Sequence, residues 1–378
     1  MSVRKRAWTT KRGEQREAWI VHYYVDGQQH IRTFERKKEA DAYHDLVRTD
    51  VRKGLHVAPS KSATVAEAAD AWLNKVRANG MRGRGPAERA TVRQYRQHIN
   101  LHILPRIGKT KLANLTSTAV ETFQKDLLES LSRPLAKKVF TSFKSLLRVA
   151  RYGHVAEGLS IGTPKRKRKL EAGRDFPSNA EVKRLINAAN GKRRVLLLTA
   201  ALTGLRASEL RGLRWSDVDL KAEDLHVRQR ADRYNTIGAP KSDSSARTVP
   251  IDPGQLTAAL REWKLACPNG DEGLVFPSSA GRIDHHKNMQ RSLAPVMVTA
   301  GVVDKNGKPK YGLHAFRHFF ASWCINPKNR GGRELPPKVV QQLLGHSSIN
   351  MTLDVYGHLF PEDGDRKELK EAAHALLM

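Results

Sequence analysis

Five positions in this 378-residue chain carry side chains that could together handle a phosphodiester. His314 and Arg317 stand three apart in His-Ala-Phe-Arg. On a helix that spacing puts a base that titrates near neutrality and a permanent cation on one face, which suits a phosphate. Alone the pair is weak, since His and Arg three apart occur on many helix surfaces. Upstream, the apolar run over residues 195–202 breaks at Thr203-Gly204 before Arg206 emerges, and Glu209 lies one turn further on. From there it would orient Arg206 by a charge-assisted hydrogen bond, although an ordinary surface ion pair would read the same. Downstream, His346 follows Leu343-Leu344-Gly345, and Tyr356 comes ten positions later as the last tyrosine of the chain.

Moving a phosphodiester requires a nucleophile, neutralisation of the two non-bridging oxygens and a proton for the departing oxygen. Tyr356 would attack phosphorus and conserve the bond energy in a phosphotyrosyl link, so ATP would not be needed. A free tyrosine ionises at about pH 10 and therefore wants a base, for which His314 is the candidate. Arg206 and Arg317 have the fork geometry to clamp the oxygens, and His346 would donate a further hydrogen bond. Asp and Glu are absent from the immediate flanks of His314, so there is no carboxylate cluster for Mg²⁺. No cofactor and no metal are expected.

Composition points to the same partner. Lys and Arg number 67 against 38 Asp and Glu, a formal net charge of +29, which is the footprint of a protein that binds a polyanion, double-stranded DNA first. An anionic membrane is the competing polyanion. No apolar stretch approaches the roughly 20 residues of a spanning helix, and no charged-then-apolar leader opens the sequence, so the expectation is a cytoplasmic protein with no membrane partner. The two cysteines, Cys267 and Cys324, lie far apart without metal-ligand spacing and are read as reduced thiols. His285-His286 are adjacent and face different ways, a surface loop rather than a metal site. His318 neighbours Arg317 but is read as pointing elsewhere on the helix, in a packing or supporting role.

Several elements must position these groups. Residues 1–60 open with a basic arm (Arg4, Lys5, Arg6, Lys11, Arg12), then two strands over 18–34 around Asp26-Gly27, a type I′ hairpin signal, then a helix over 37–51. Such a β-β-α unit could also be a mere solubilising cap. Residues 64–155 show helix-period spacing at 65–76, 91–103, 120–131 and 135–152, with Pro105 and Gly108 breaking the second helix from the third and Thr116 or Ser117 capping the third. Arg93, Arg96, Lys137, Lys138, Lys144, Arg148 and Arg151 supply charge along these helices, either a solvated face or a DNA-facing one. Residues 156–175, with five successive cations from Lys165 to Lys169, read as a basic linker lying along phosphates. Residues 176–378 read as one larger domain: helices at 179–189, 194–202, 209–213, 288–300, 314–324, 337–344 and 350–356, with strands at 217–228 and 246–251. The fold class is thus multidomain, mainly α with small β-sheets.

Arg206, His314 with Arg317, His346 and Tyr356, in that order and at those separations, resemble the signature of the tyrosine recombinase (phage integrase) family. The stretch from Leu213 to Asp219 resembles its helix-to-strand passage. The resemblance is specific over about 176–360, weaker over 64–155, which looks like the family's core-type DNA-binding domain, and architectural over 1–58, which looks like its arm-binding sheet. It implies that Lys241, just before the strand at 246–251, protonates the 5′ leaving oxygen, with Arg233 and Arg247 as cations that could be mistaken for it. It also implies strand exchange by a homotetramer on attachment sites of a phage or genomic island, helped by a host DNA-bending protein and a small excision factor. The tail over 368–377, with Leu369, Ala372, Ala373, Leu376 and Leu377 at amphipathic spacing, would pack on its own domain or dock on a neighbouring subunit. A type IB-like topoisomerase and a DNA-binding protein without strand exchange are the competing readings.

Overall fold

The computed structural model describes residues 2–9, 13, 15–25, 28–52, 62–81, 83, 85–162, 169–240, 242–360, 371, 374 and 375. The chain divides into two compact units, Met1–Lys165 and Arg166–Met378.

The first unit holds two separate hydrophobic clusters. One lies beneath an antiparallel sheet of β1 (Ser2–Thr9), β2 (Gln15–Val25) and β3 (Gln28–Phe34), in that order. Helix α1 (Lys37–Arg52) packs Ala40 and Val47 against Val21 and Tyr23. Val25 pairs with Gln28, leaving two residues to join the strands, and the expected Asp26-Gly27 turn lies outside the described residues. Three residues of the expected basic arm, Arg4, Lys5 and Arg6, lie in β1, paired with Ile20, Trp19 and Ala18, while Lys11 and Arg12 lie outside the described residues. Cations on an exposed edge strand guard it against pairing with other chains, and they hide the alternation by which a strand is read.

The second cluster is helical. A capping box starts α2 (Val65–Asn79): Thr64 Oγ1 accepts from the Glu67 backbone N–H at 3.2 Å, and Glu67 accepts from the Thr64 N–H at 2.7 Å. Helix α3 (Arg89–His98) continues through π-helical Ile99–Ile103 into α4 (Leu104–Ile107). Pro105 therefore does not break the helix. The wide turn before it, in which the Leu104 N–H reaches back to Ile99 O, accommodates a ring that a regular α-helix interior excludes. The chain leaves the helix at Gly108. Thr116 caps α5 (Ser117–Ser130), accepting from Ala119 N–H at 3.2 Å, and α6 (Arg133–Val149) crosses the core with Phe140, Phe143, Leu146 and Leu147 buried. The expected linker is partly packed. Ala156 and Ile161 are buried in this cluster and Leu170 in the second unit, because apolar residues flank the cationic run; residues 163–168 lie outside the described residues.

The second unit is built around a helix buried on every side. Following α7 (Asn179–Ala188), α8 (Gly191–Thr203) carries Val195, Leu196, Leu197, Leu198, Ala200 and Ala201, each no more than 3% exposed. A helix apolar all round must be enclosed, and burying each such Leu contributes about 2 kcal/mol. Short α9 (Ala207–Gly212) leads into β4 (Val218–Asp219) and β5 (Asp224–Val227), then the small hairpin β6 (Arg230–Ala231) and β7 (Ile237–Gly238), and β8 (Arg247–Pro250), which pairs with β5. The single strand expected over 217–228 is folded in two. Asp219 Oδ1 accepts from the Lys221 and Ala222 N–H groups at 2.9 and 2.8 Å, turning the chain back on itself. Helix α10 (Gln255–Ala266), packed on α8, is an element the sequence reading misses, although Leu256, Ala259 and Leu260 are spaced for a buried stripe. Then come α11 (His286–Thr299), α12 (Leu313–Ile325), which also packs on α8, α13 (Pro337–Leu344) and α14 (Ile349–Tyr356).

Candidate active site

Arg206 is placed by the way α8 ends. Gly204 adopts φ 60°, and a Cβ there would lie 2.3 Å from the Phe320 ring of α12, so only glycine permits both the turn and the close approach. The chain reverses, and Arg206 becomes the N-cap of α9. Its Nη1 donates to Glu209 Oε1 at 2.7 Å and its Nη2 to Gly345 O at 2.9 Å. Glu209 also accepts from the Arg206 backbone N–H and, at 2.9 Å, from Arg247 Nη2. Burial works to raise the Glu209 pKa, but Arg247 and Arg206 outweigh it and hold the carboxylate below its usual range. Arg247 is further pinned to Leu343 O and Ser245 O, a supporting cation rather than a free one.

Arg317 comes from α12 and is 2% exposed. It bridges Gly204 O at 2.7 Å and Leu344 O at 2.5 Å, tying the end of α8 to the end of α13. Burial first, and then Arg206, push its pKa down to about 9, so it stays charged at neutral pH. Leu344 O and Gly345 O are thus each held by one of two arginines more than a hundred positions apart in the chain. His346 follows directly, 8% exposed, with Nδ1 2.9 Å from the Thr352 hydroxyl of α14. Burial and the surrounding cations, Arg317 first, push His346 down to about 4, so it is neutral at pH 7. The tautomer sets the direction of this bond: where the Thr352 hydroxyl donates to Nδ1, the ring hydrogen sits on Nε2 and is available to an oxygen. His314 is exposed, and desolvation by its surroundings, then Arg317 and Arg206, lower its pKa too.

Tyr356 ends α14, whose start is capped by Ser348 accepting from Asn350 N–H at 3.2 Å. The residue is 2% exposed, and its hydroxyl lies 2.7 Å from Nδ1 of His318. His318 is expected to turn away from Arg317 in a packing or supporting role, and its partner in the structure is this hydroxyl. Adjacency to Arg317 does turn it away from that residue, but it stands four positions after His314, and that spacing brings the two rings within 4.7 Å. The signal was legible: a second histidine one turn along the same face.

Lys241 lies outside the described residues, as does nearly all of the 368–377 tail. Among the described residues no group of three or more His, Cys, Asp or Glu gathers as a metal site, and no helix is long and apolar enough to cross a membrane. His285 caps α11, its Nδ1 3.4 Å from the Lys287 N–H.

A helical unit followed by a mixed domain that gathers two arginines, histidines and a tyrosine at the end of a helix defines a class of DNA strand transferases. The chain belongs to the phage integrase family. The model for "Phage integrase family" matches residues 177–363, and that for "Phage integrase, N-terminal SAM-like domain" matches 87–128. A tyrosine recombinase XerC-like protein of Caldanaerobacter subterraneus subsp. tengcongensis is 28% identical over 361 residues, covering 86% of this chain and 87% of that one. The ICEBs1 integrase of Bacillus subtilis is 26% identical over 289 residues, 74% of this chain and 76% of its own. Among solved structures, the Tn1549 transposon integrase in complex with transposon right end DNA aligns with TM-score 0.59 at 20% identity, over 82% of this chain and all of that one. A lambda integrase dimer bound to a core site aligns with TM-score 0.55 at 15% identity, over 95% of each. At these identities the structural likeness speaks for the fold, mainly helical with small antiparallel sheets.

Proposed function

We propose that this protein is a tyrosine-type site-specific recombinase that cuts and rejoins DNA through a 3′-phosphotyrosyl intermediate to integrate and excise a mobile element. The observation that carries this is the convergence at the end of α13: Arg317 on Leu344 O, Arg206 on Gly345 O, and His346 next in line. Two guanidinium forks and a neutral histidine donor around one point suit the two non-bridging oxygens and the developing charge of a pentavalent phosphate. Tyr356, closing the following helix, supplies the nucleophile. Lys241 is assigned to protonate the 5′ oxygen, on the family resemblance.

Double-stranded DNA is the substrate and a homotetramer the working form; lambda integrase has been solved as a tetramer bound to a Holliday junction. The helices of 64–155 would hold the core-type site and the 1–60 unit an arm-type site. The sheet face opposite α1 bears exposed Arg4, Arg6 and Tyr24, two cations and an aromatic ring suited to a duplex. A host DNA-bending protein and an excision factor would set direction.

The test is a suicide duplex bearing candidate attachment sites, incubated in EDTA with the wild type and with Tyr356→Phe, then run on a denaturing gel. A covalent adduct that survives EDTA and is lost in the variant is expected. An adduct formed with Phe at 356, or one that needs Mg²⁺, overturns the reading. Relaxation of supercoils without paired sites would instead favour a type IB-like topoisomerase.

A further inference from the structure

We propose that His318, and not His314, accepts the phenolic proton of Tyr356 as the tyrosine attacks. The inference rests on the strand-cutting reading and divides the two histidines of α12 between nucleophile and phosphate. The geometry carries it: His318 Nδ1 is 2.7 Å from the Tyr356 hydroxyl, inside hydrogen-bond reach of the proton to be removed. His314 is exposed beside the arginine clamp, where an incoming phosphate would meet it, whereas Tyr356 is 2% exposed and water has little access to its hydroxyl. The two rings touch edge to face, centroids 4.7 Å apart at 77°, so each buttresses the other without competing for the same oxygen.

The step balances within the site. The phenolic O–H bond breaks and its proton passes to His318 Nδ1, the ring already carrying hydrogen on Nε2. The freed electron pair forms the O–P bond as the bond from phosphorus to the 5′ oxygen breaks, and that oxygen takes a proton from the general acid. In religation the same imidazolium returns its proton to the departing phenolate oxygen of Tyr356, 2.7 Å away, so the step runs backward through one residue.

The experiment is single-turnover cleavage of a suicide duplex by the full-length wild type, His318→Ala and His318→Asn, with duplex binding followed by gel shift. Asparagine places an acceptor oxygen where Nδ1 sits but cannot take up a proton. Both variants are expected to bind duplex as the wild type does and to cleave about 100-fold more slowly at neutral pH. The deficit should shrink as pH rises, because hydroxide then competes with the base for the phenolic proton. Added imidazole should partly restore His318→Ala and leave His318→Asn unchanged. Cleavage within about threefold of wild type, faster cleavage, a deficit equal at every pH, or loss of duplex binding would each overturn the assignment. A wild type that forms no adduct would overturn the strand-cutting reading itself, a distinguishable result.

Discussion

Glu209 divides one buried carboxylate between two arginines, Oε1 to Arg206 and Oε2 to Arg247, at 2.7 and 2.9 Å. Arg247 and Glu209 are 6% and 2% exposed, so neither can fall back on water if the other is removed. Glu209→Ala should therefore cost about 3 kcal/mol of stability, the usual penalty for stranding a buried charge. Arg206 would also lose its orienting partner, and adduct formation should slow. An unchanged denaturation midpoint would show that Arg247 finds another anion.

Acid should weaken the second unit in two stages. The folded His346 pKa, about 4, lies below the ordinary 6.5, so as pH falls the unfolded chain takes up the proton first. The stability from this group is complete above 6.5 and is lost as pH falls toward 4. The depressed Glu209 carboxylate has the same sign one step lower: its contribution is present above 4.5 and lost as pH falls below that. Denaturant midpoints measured across the upper window should slope less for His346→Gln than for the wild type.

Arg317→Lys keeps the charge but gives up the fork that holds Gly204 O and Leu344 O together. Adduct formation should fall by about 10²- to 10³-fold, the typical loss when one oxyanion donor is removed. Wild-type rates in this variant would mean that charge alone suffices at this place.

Gly204→Ala should be among the most damaging small substitutions in the chain. The added methyl would lie 2.3 Å from the Phe320 ring at a φ of 60°. Strain at that φ costs on the order of 1 kcal/mol, and the overlap adds to it. Pairing the substitution with Phe320→Ala should lower the melting temperature by less than the two single changes summed, because alanine removes the ring atoms the added methyl would meet.

Duplex binding should fall steeply with salt, as expected for a chain with 67 Lys and Arg against 38 Asp and Glu. Lys137 and Lys138 are exposed on α6. Replacing either by Ala should flatten the log–log salt slope by about 1 if it meets a phosphate, and leave it unchanged if the face is merely solvated.

Most helices were legible from apolar period and caps, and the Thr116 cap and the Thr203-Gly204 break fall where the residues indicate. Elements without a burial pattern were harder. β1 is an edge strand covered in cations, and the turn made by Asp219 lies inside a run that reads as one strand. Pro105 was over-read because its cost depends on the turn preceding it, which here is π-helical.

The sequence by itself determined which groups are available, Arg206, His314, Arg317, His346 and Tyr356, and the order in which local elements present them. Helical period and capping act within a turn or two and are written in neighbouring residues. Only the tertiary structure decided that Arg206 reaches Gly345, 139 positions away, and that Arg247 supports the clamp instead of facing the ligand. Those meetings follow from enclosing α8 with α7, α10 and α12, a burial whose partners are not neighbours in the chain. The same packing brings α14 against α12, and so decided which of two histidines, one turn apart, meets the tyrosine.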